Sequence, residues 1–245
     1  MEVGIQISSL KPMLSNEDQV RETFRRVRAL GCSTIQLQWI AQEVSPAAIS
    51  AALAECGLRS VSVQDFYTSV QENFAYYVDL NAVTGGKWLC VSRIPEERKS
   101  LRGLQLFADE LRQMAERLAP YNQKLCFHPV WRDFCAVSGV SAVEELLYSL
   151  PELGLCLDLY HLNRYCQDMP GFIRRWTGRI PMVHFKDAHG ETLVPAGQGD
   201  IDWSGVVLAC RDAGVGYAFA EQERWDRDPY VCLGEAMDWI SAQLV

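Results

Sequence analysis

The sequence predicts an α/β fold, a single-domain (β/α)8 TIM barrel spanning residues 1–245. Three observations carry that expectation. Short apolar or β-branched runs alternate with longer amphipathic stretches from one end of the chain to the other. No linker or low-complexity segment interrupts the alternation. The 245 residues are also about what one such barrel needs. A doubly wound open sheet is the alternative, because alternation alone does not show closure.

The units read in order as follows. A strand over Val3–Ile7 precedes a helix over Glu17–Leu30, and Gly31 stands where a helix-ending glycine belongs. A strand over Ser33–Trp39 leads to a helix over Pro46–Cys56, which Ser45 and Pro46 start and Gly57 ends. Next come Arg59–Gln64 with Val70–Thr84, then Lys87–Arg93 with Leu101–Ala119. Lys124–Pro129 pairs with Ala142–Leu150, and Leu155–Leu159 with Gly171–Thr177. Pro181–Lys186 pairs with Trp203–Ala213, closed by Gly214, and Tyr217–Glu221 with Tyr230–Leu244.

Composition narrows the function. Nearly half the residues are hydrophobic (49%), ample for a core and unlike a disordered chain. No run reaches the roughly 18 apolar residues of a spanning helix, so no membrane partner is expected. The opening MEVGIQISSL lacks a basic segment followed by an apolar one, so no signal peptide is expected. Nine cysteines without paired spacing read as reduced, mostly buried thiols, an expectation of a cytoplasmic protein. A net charge of −8 with interspersed signs argues against a nucleic-acid partner. A small neutral or phosphorylated molecule stays open as substrate, as does pairing into a homo-oligomer.

Strand parity locates the chemistry. In a barrel strand one face meets the helices and the other faces the lumen. Leu125 and Phe127 alternate with Cys126 and His128, and three leucines alternate with Cys156 and Asp158. Val183 and Phe185 alternate with Met182, His184 and Lys186, while Phe219 shares its face with Glu221. Val61 and Val63 are expected on the helix side, opposite Ser60, Ser62 and Gln64. Four successive strands thus carry His128, Asp158, His184 and Glu221 into the lumen near their C-terminal ends, where barrel enzymes place catalytic groups. Packed together unpaired, these groups would be costly, and a metal ion removes that cost. Two imidazoles and two carboxylates suit one divalent ion, Zn, Mn, Fe or Co rather than Mg.

Each residue also has a plain structural reading. His128 before Pro129 could end a strand, Asp158 could cap a turn, and Glu221 could pair with Arg224. Gln38 and Gln64 fall near the mouth, where they would bind hydroxyls or simply each other. Trp131, like Trp39, Phe66, Tyr67 and Trp225, follows a strand end and suits stacking on a sugar face or packing in a loop.

At these residues the chain resembles the sugar phosphate isomerase/epimerase family, the xylose isomerase-like barrels. The resemblance lies in LDLYH at Leu157–His161, HFKD at His184–Asp187, the GQGDIDW run at Gly197–Trp203, and AEQE at Ala220–Glu223. It implies that Asp158, His184 and Glu221 bind the metal and that His161 and Lys186 contact substrate oxygens. A divalent ion held by the four convergent residues would support isomerisation or epimerisation through an enediolate-type intermediate, with Glu221 the candidate base and His128 the candidate second proton carrier. Loss of a β-hydroxyl, a dehydratase reaction, and a sugar-binding barrel without turnover are the alternatives. Two departures matter. His128 stands where many members carry a glutamate, and Gln36 replaces another on the second strand. Val130 and Asp133 likewise depart from a subgroup pattern of His and Glu.

Overall fold

A computed structural model describes residues 1–137 and 139–244. Eight parallel strands form a closed barrel: β1 (Glu2–Gln6), β2 (Thr34–Leu37), β3 (Arg59–Phe66), β4 (Trp88–Ser92), β5 (Lys124–His128), β6 (Gly154–Asp158), β7 (Met182–Phe185) and β8 (Tyr217–Ala220). Each strand pairs with its sequence neighbours, and β1 meets β8 with Glu2 opposite Tyr217 and Ile5 opposite Ala220. That closure rules out the open sheet. It also sets the register of the mouth, because Asp158 lies opposite His184 and Ser92 opposite His128.

The principal helices are α1 (Glu17–Ala29), α2 (Pro46–Cys56), α3 (Phe74–Val83), α4 (Leu101–Leu118), α5 (Ala142–Ser149), α6 (Met169–Arg175), α7 (Val206–Asp212) and α8 (Pro229–Ala242). Their starts follow local chemistry. Asn16 accepts the Gln19 N–H ahead of α1, and Ser45 accepts the Ala48 N–H with Pro46 opening α2. Gly57 ends α2 in the left-handed region at φ 63°, which a side chain would strain. In α4 the buried set Leu104, Phe107, Leu111, Met114 and Leu118 recurs at helical spacing. Burying each such side chain is worth about 1.5–3 kcal/mol, so Phe107→Ala would open a costly cavity. Among the described residues no helix is long and apolar enough to cross a membrane.

The structure corrects several expected elements. The helix expected over Val70–Thr84 breaks at Asn73, whose backbone is non-helical, into Tyr67–Glu72 and α3. Leu159 leaves the sixth strand to open a short helix, Leu159–Asn163, because Asp158 caps it. A 3-10 segment over Ile7–Met13 and two small hairpins, Ala136–Val137 with Val140–Ser141 and Asp187–His189 with Thr192–Val194, had no periodic signal. Val61 joins an inner cluster with Cys90, Cys126, Cys156, Met182 and Phe219 instead of facing helices with Val63. The β2–β3 register shifts between Ile35 and Gln36, which upsets strict alternation there. Gly4 makes room for this layer, since a Cβ would sit 2.3 Å from Thr34 O and 3.0 Å from the Phe219 ring. The cysteines are all unpaired thiols, but Cys135 is exposed rather than buried.

Candidate active site

The C-terminal ends of β5 to β8 bring His128, Asp158, His184 and Glu221 together. One ligand-type atom from each lies within 4.8 Å of the other three, and all four residues are buried. Strand register produces this convergence: the last residues of β5 and β6 supply His128 and Asp158. Glu221 follows β8 directly, its N–H still bonded to Phe185 O.

Each side chain is held at one end and open at the other. Ser92 Oγ meets His128 Nδ1 at 3.2 Å, and the His161 N–H donates to Asp158 Oδ1 at 3.0 Å. His184 Nε2 meets Gln36 Oε1 at 2.5 Å, and Ser8 Oγ donates to Glu221 Oε1 at 3.2 Å. The remaining atoms, His128 Nε2, Asp158 Oδ2, His184 Nδ1 and Glu221 Oε2, are buried without a hydrogen-bond partner. His184 Nδ1 and Glu221 Oε2 are 2.9 Å apart but out of line for a hydrogen bond. An unpartnered buried polar atom costs about 1–3 kcal/mol, so four facing one another need a common partner. The donor set, two imidazole nitrogens and two carboxylate oxygens, is one that could hold a divalent metal ion.

Charge around the cluster is steeply organised. Lys186, just past β7, lies 2.7 Å from Glu223, 3.5 Å from Asp158 and 3.8 Å from Glu221. Burial alone would discharge the ammonium, but Glu221, Asp158 and Glu223 outweigh it and raise its pKa. Burial pushes Asp158 up, yet His161 and Lys186 hold its carboxyl below the usual range. Glu221 is likewise pulled well down, by Lys186 and His184 against burial. His128 goes the other way. Burial and the neighbouring His184 depress it to about 3, so its ring stays neutral.

The other expected residues fall nearby. His161 Nε2 lies 3.7 Å from Asp158 Oδ2, and its Nδ1 is buried without a partner. Gln64 Nε2 donates to Gln38 Oε1 at 3.2 Å, the plainer of their two readings, on the opposite side of the mouth. Trp131 is 41% exposed on the rim, with the guanidiniums of Arg132 and Arg164 5.1 and 5.2 Å from its ring centre. A cleft of about 530 Å³ joins Trp131, Tyr160, His161, Lys186 and Glu223, so these residues share one opening. A larger cavity, about 630 Å³, lies at the other end around Trp88, Lys124 and Tyr217. It contains none of the convergent side chains, and chemistry in such barrels belongs to the C-terminal face.

Sequence reasoning missed several supports. Asp187 is fully buried, and its carboxylate accepts the N–H groups of Ala188, Gly197, Gly199 and Ile201 and the indole of Trp203. It thereby ties the loop between β7 and α7 to the strand that carries His184 and Lys186. Its place in the HFKD run is a signal, but parity only sets it on the face opposite His184 and Lys186 and does not say which donors it meets. Glu223 stands out in the sequence only as part of the AEQE run, and Ser92 carries no signal there.

A closed parallel barrel with its buried polar cluster at the C-terminal mouth defines the class: a single-domain TIM barrel with its candidate centre among the βα loops. The chain belongs to the xylose isomerase-like TIM barrel family, which matches it over residues 14–243. No curated protein matches it significantly by sequence. Solved structures do match in fold. A sugar phosphate isomerase/epimerase from Parabacteroides distasonis superposes with a TM-score of 0.81 at 13% identity, covering 97% of this chain and 92% of its own. A D-allulose 3-epimerase from Methylomonas sp. gives 0.79 at 16%, covering 99% and 98%. The probable 3-DHS dehydratase of petrobactin synthesis from Bacillus anthracis gives 0.75 at 15%, covering 98% and 99%.

Proposed function

We propose that the protein is a divalent-metal-dependent isomerase or epimerase of a small sugar, keto-sugar or cyclitol. The observation that carries this reading is the set of four buried, unpartnered ligand atoms on successive strand ends, beside a charged lysine and an open cleft. His128, Asp158, His184 and Glu221 would hold the ion, with Zn, Mn, Fe or Co fitting the imidazoles better than Mg. When bound, a divalent ion polarises adjacent carbonyl and hydroxyl oxygens and acidifies the C–H between them.

The chain's own groups divide the remaining work. Glu221 is the carboxylate assigned to take the proton. Lys186, kept charged, donates to a substrate oxygen and offsets negative charge that develops there. His161 offers its unpartnered Nδ1 to a second oxygen at the cleft. His128 is better suited to ligation than to carrying protons, because its ring is held neutral to about pH 3. Gln38 and Gln64 remain candidates for hydroxyl contacts, and Trp131 for the outer face of the sugar.

Fold relatives that include a D-allulose 3-epimerase support the reading, and a relative that is a probable 3-DHS dehydratase keeps β-hydroxyl loss in view. The test is solvent exchange. Protein loaded with Mn2+ is incubated in D2O with a panel of ketoses and cyclitols, and C–H loss is followed by NMR. Exchange in the parent that vanishes in Glu221→Gln supports the proposal. Water release with a new C=C signal would assign a dehydratase. No exchange anywhere in the panel would leave a sugar-binding barrel.

A further inference from the structure

Directly beneath the cluster runs a chain of amides whose polarity is fixed at its far end. The backbone N–H of Ser8 donates to Gln6 Oε1 at 3.3 Å, so that end of the Gln6 amide is the oxygen. Gln6 Nε2 then donates to Gln36 Oε1 at 2.8 Å. The same Gln36 oxygen meets His184 Nε2 at 2.5 Å. An amide oxygen only accepts, so the proton in that contact belongs to His184 Nε2. The far end of Gln36 agrees, because its Nε2 faces the weak acceptors Met182 Sδ at 3.4 Å and Cys90 Sγ at 3.5 Å. Cys156 Sγ, 3.2 Å from His184 Nε2, has Gln64 Oε1 at 3.7 Å to receive its own proton. Gln6 and Gln36 are both fully buried, which keeps water from scrambling the chain.

We propose that Gln36 is a positioning residue: it keeps a proton on His184 Nε2 and so makes Nδ1 the ring atom offered to a divalent ion. The inference rests on the metal reading above. It also explains the departure at this position. Gln36 lies one layer below the mouth with both amide ends engaged, so it supports the ligand rather than replacing a lost proton carrier. An amide fixes ring and tautomer without adding a third buried negative charge beneath Glu221 and Asp158.

The experiment uses the full chain, Mn2+ in competition with a chelator, and 15N-resolved NMR of the histidines in metal-free protein. The parent is expected to show a bound proton on His184 Nε2. Gln36→Leu removes the acceptor and should weaken Mn2+ binding about 10–100-fold. Gln36→Glu keeps an acceptor oxygen and should bind at least as tightly as the parent. If Gln36→Leu does not fold, Gln6→Leu, which frees the Gln36 amide and also the Ser8 N–H, carries the test with a smaller loss of Mn2+ binding, and the His184 Nε2 proton in its 15N spectrum separates a lost anchor from an effect through Ser8 on Glu221. A folded Gln36→Leu that binds Mn2+ like the parent, or a parent with Nε2 unprotonated, would overturn the positioning role while leaving the metal reading intact. A parent that takes up no Mn2+ would sink both, and the two failures are therefore distinct.

Discussion

Replacing Asp187 with alanine tests how the mouth is built. Its carboxylate accepts five N–H donors, at 2.9 Å from Ala188, 3.0 Å from Gly197, 3.1 Å from Gly199, 3.4 Å from Ile201 and 2.9 Å from the Trp203 indole. The substitution leaves these donors without their acceptor in a site with no solvent exposure. Each stranded donor costs about 1–3 kcal/mol, but loop relaxation and entering water recover part, so a net loss of about 3–5 kcal/mol is expected. For a domain of this size that is a fall in Tm of about 6–20 °C by calorimetry. Asn is a poor substitute. Oδ1 serves Ala188 and Ile201 while Oδ2 serves Gly197, Gly199 and Trp203, so either amide orientation points NH2 at donors. A Tm for Asp187→Ala within about 2 °C of the parent would refute the reasoning.

Gly199→Ala should reproduce part of that loss, because a Cβ there would lie 2.1 Å from Asp187 Oδ1; an unchanged Tm would contradict the packing. Lys186→Met removes a cation 3.5 Å from Asp158 and 3.8 Å from Glu221, so on the proposed ion site Mn2+ affinity should rise about tenfold while turnover falls, measured by chelator competition and solvent exchange. His128 titrates at about 6.5 unfolded and about 3 in the metal-free fold, so the unfolded chain binds more protons between those values. Its contribution is neutral above pH 6.5 and becomes a loss of stability as pH falls toward 3. Histidine NMR between pH 5 and 8 should therefore show no titration of this ring.

Much of the fold was legible because barrel strands report their environment through parity. Leucines alternating with Cys156 and Asp158 place the latter in the lumen whatever the loops do, and the four convergent residues all follow from that rule. The rule fails where backbone geometry changes. Val61 faces inward against its parity because the β2–β3 register shifts, and Asn73 breaks a helix that periodicity extends through it. Contacts beyond a strand end depend on loop paths, which side-chain pattern does not encode. That is why the five donors around Asp187 and the Glu223–Lys186 pair emerged only in three dimensions. Gln36 reads from the sequence as a missing carboxylate, and its contacts with Gln6 and His184 are visible only in the structure.

The most direct test of the account is the metal content of the purified protein by mass spectrometry, beside Asp158→Ala. About one equivalent of a divalent transition metal in the parent and little in the variant is the predicted result. No metal in either protein, even after soaking with Mn2+ and Zn2+, would contradict the central claim that His128, Asp158, His184 and Glu221 form an ion site.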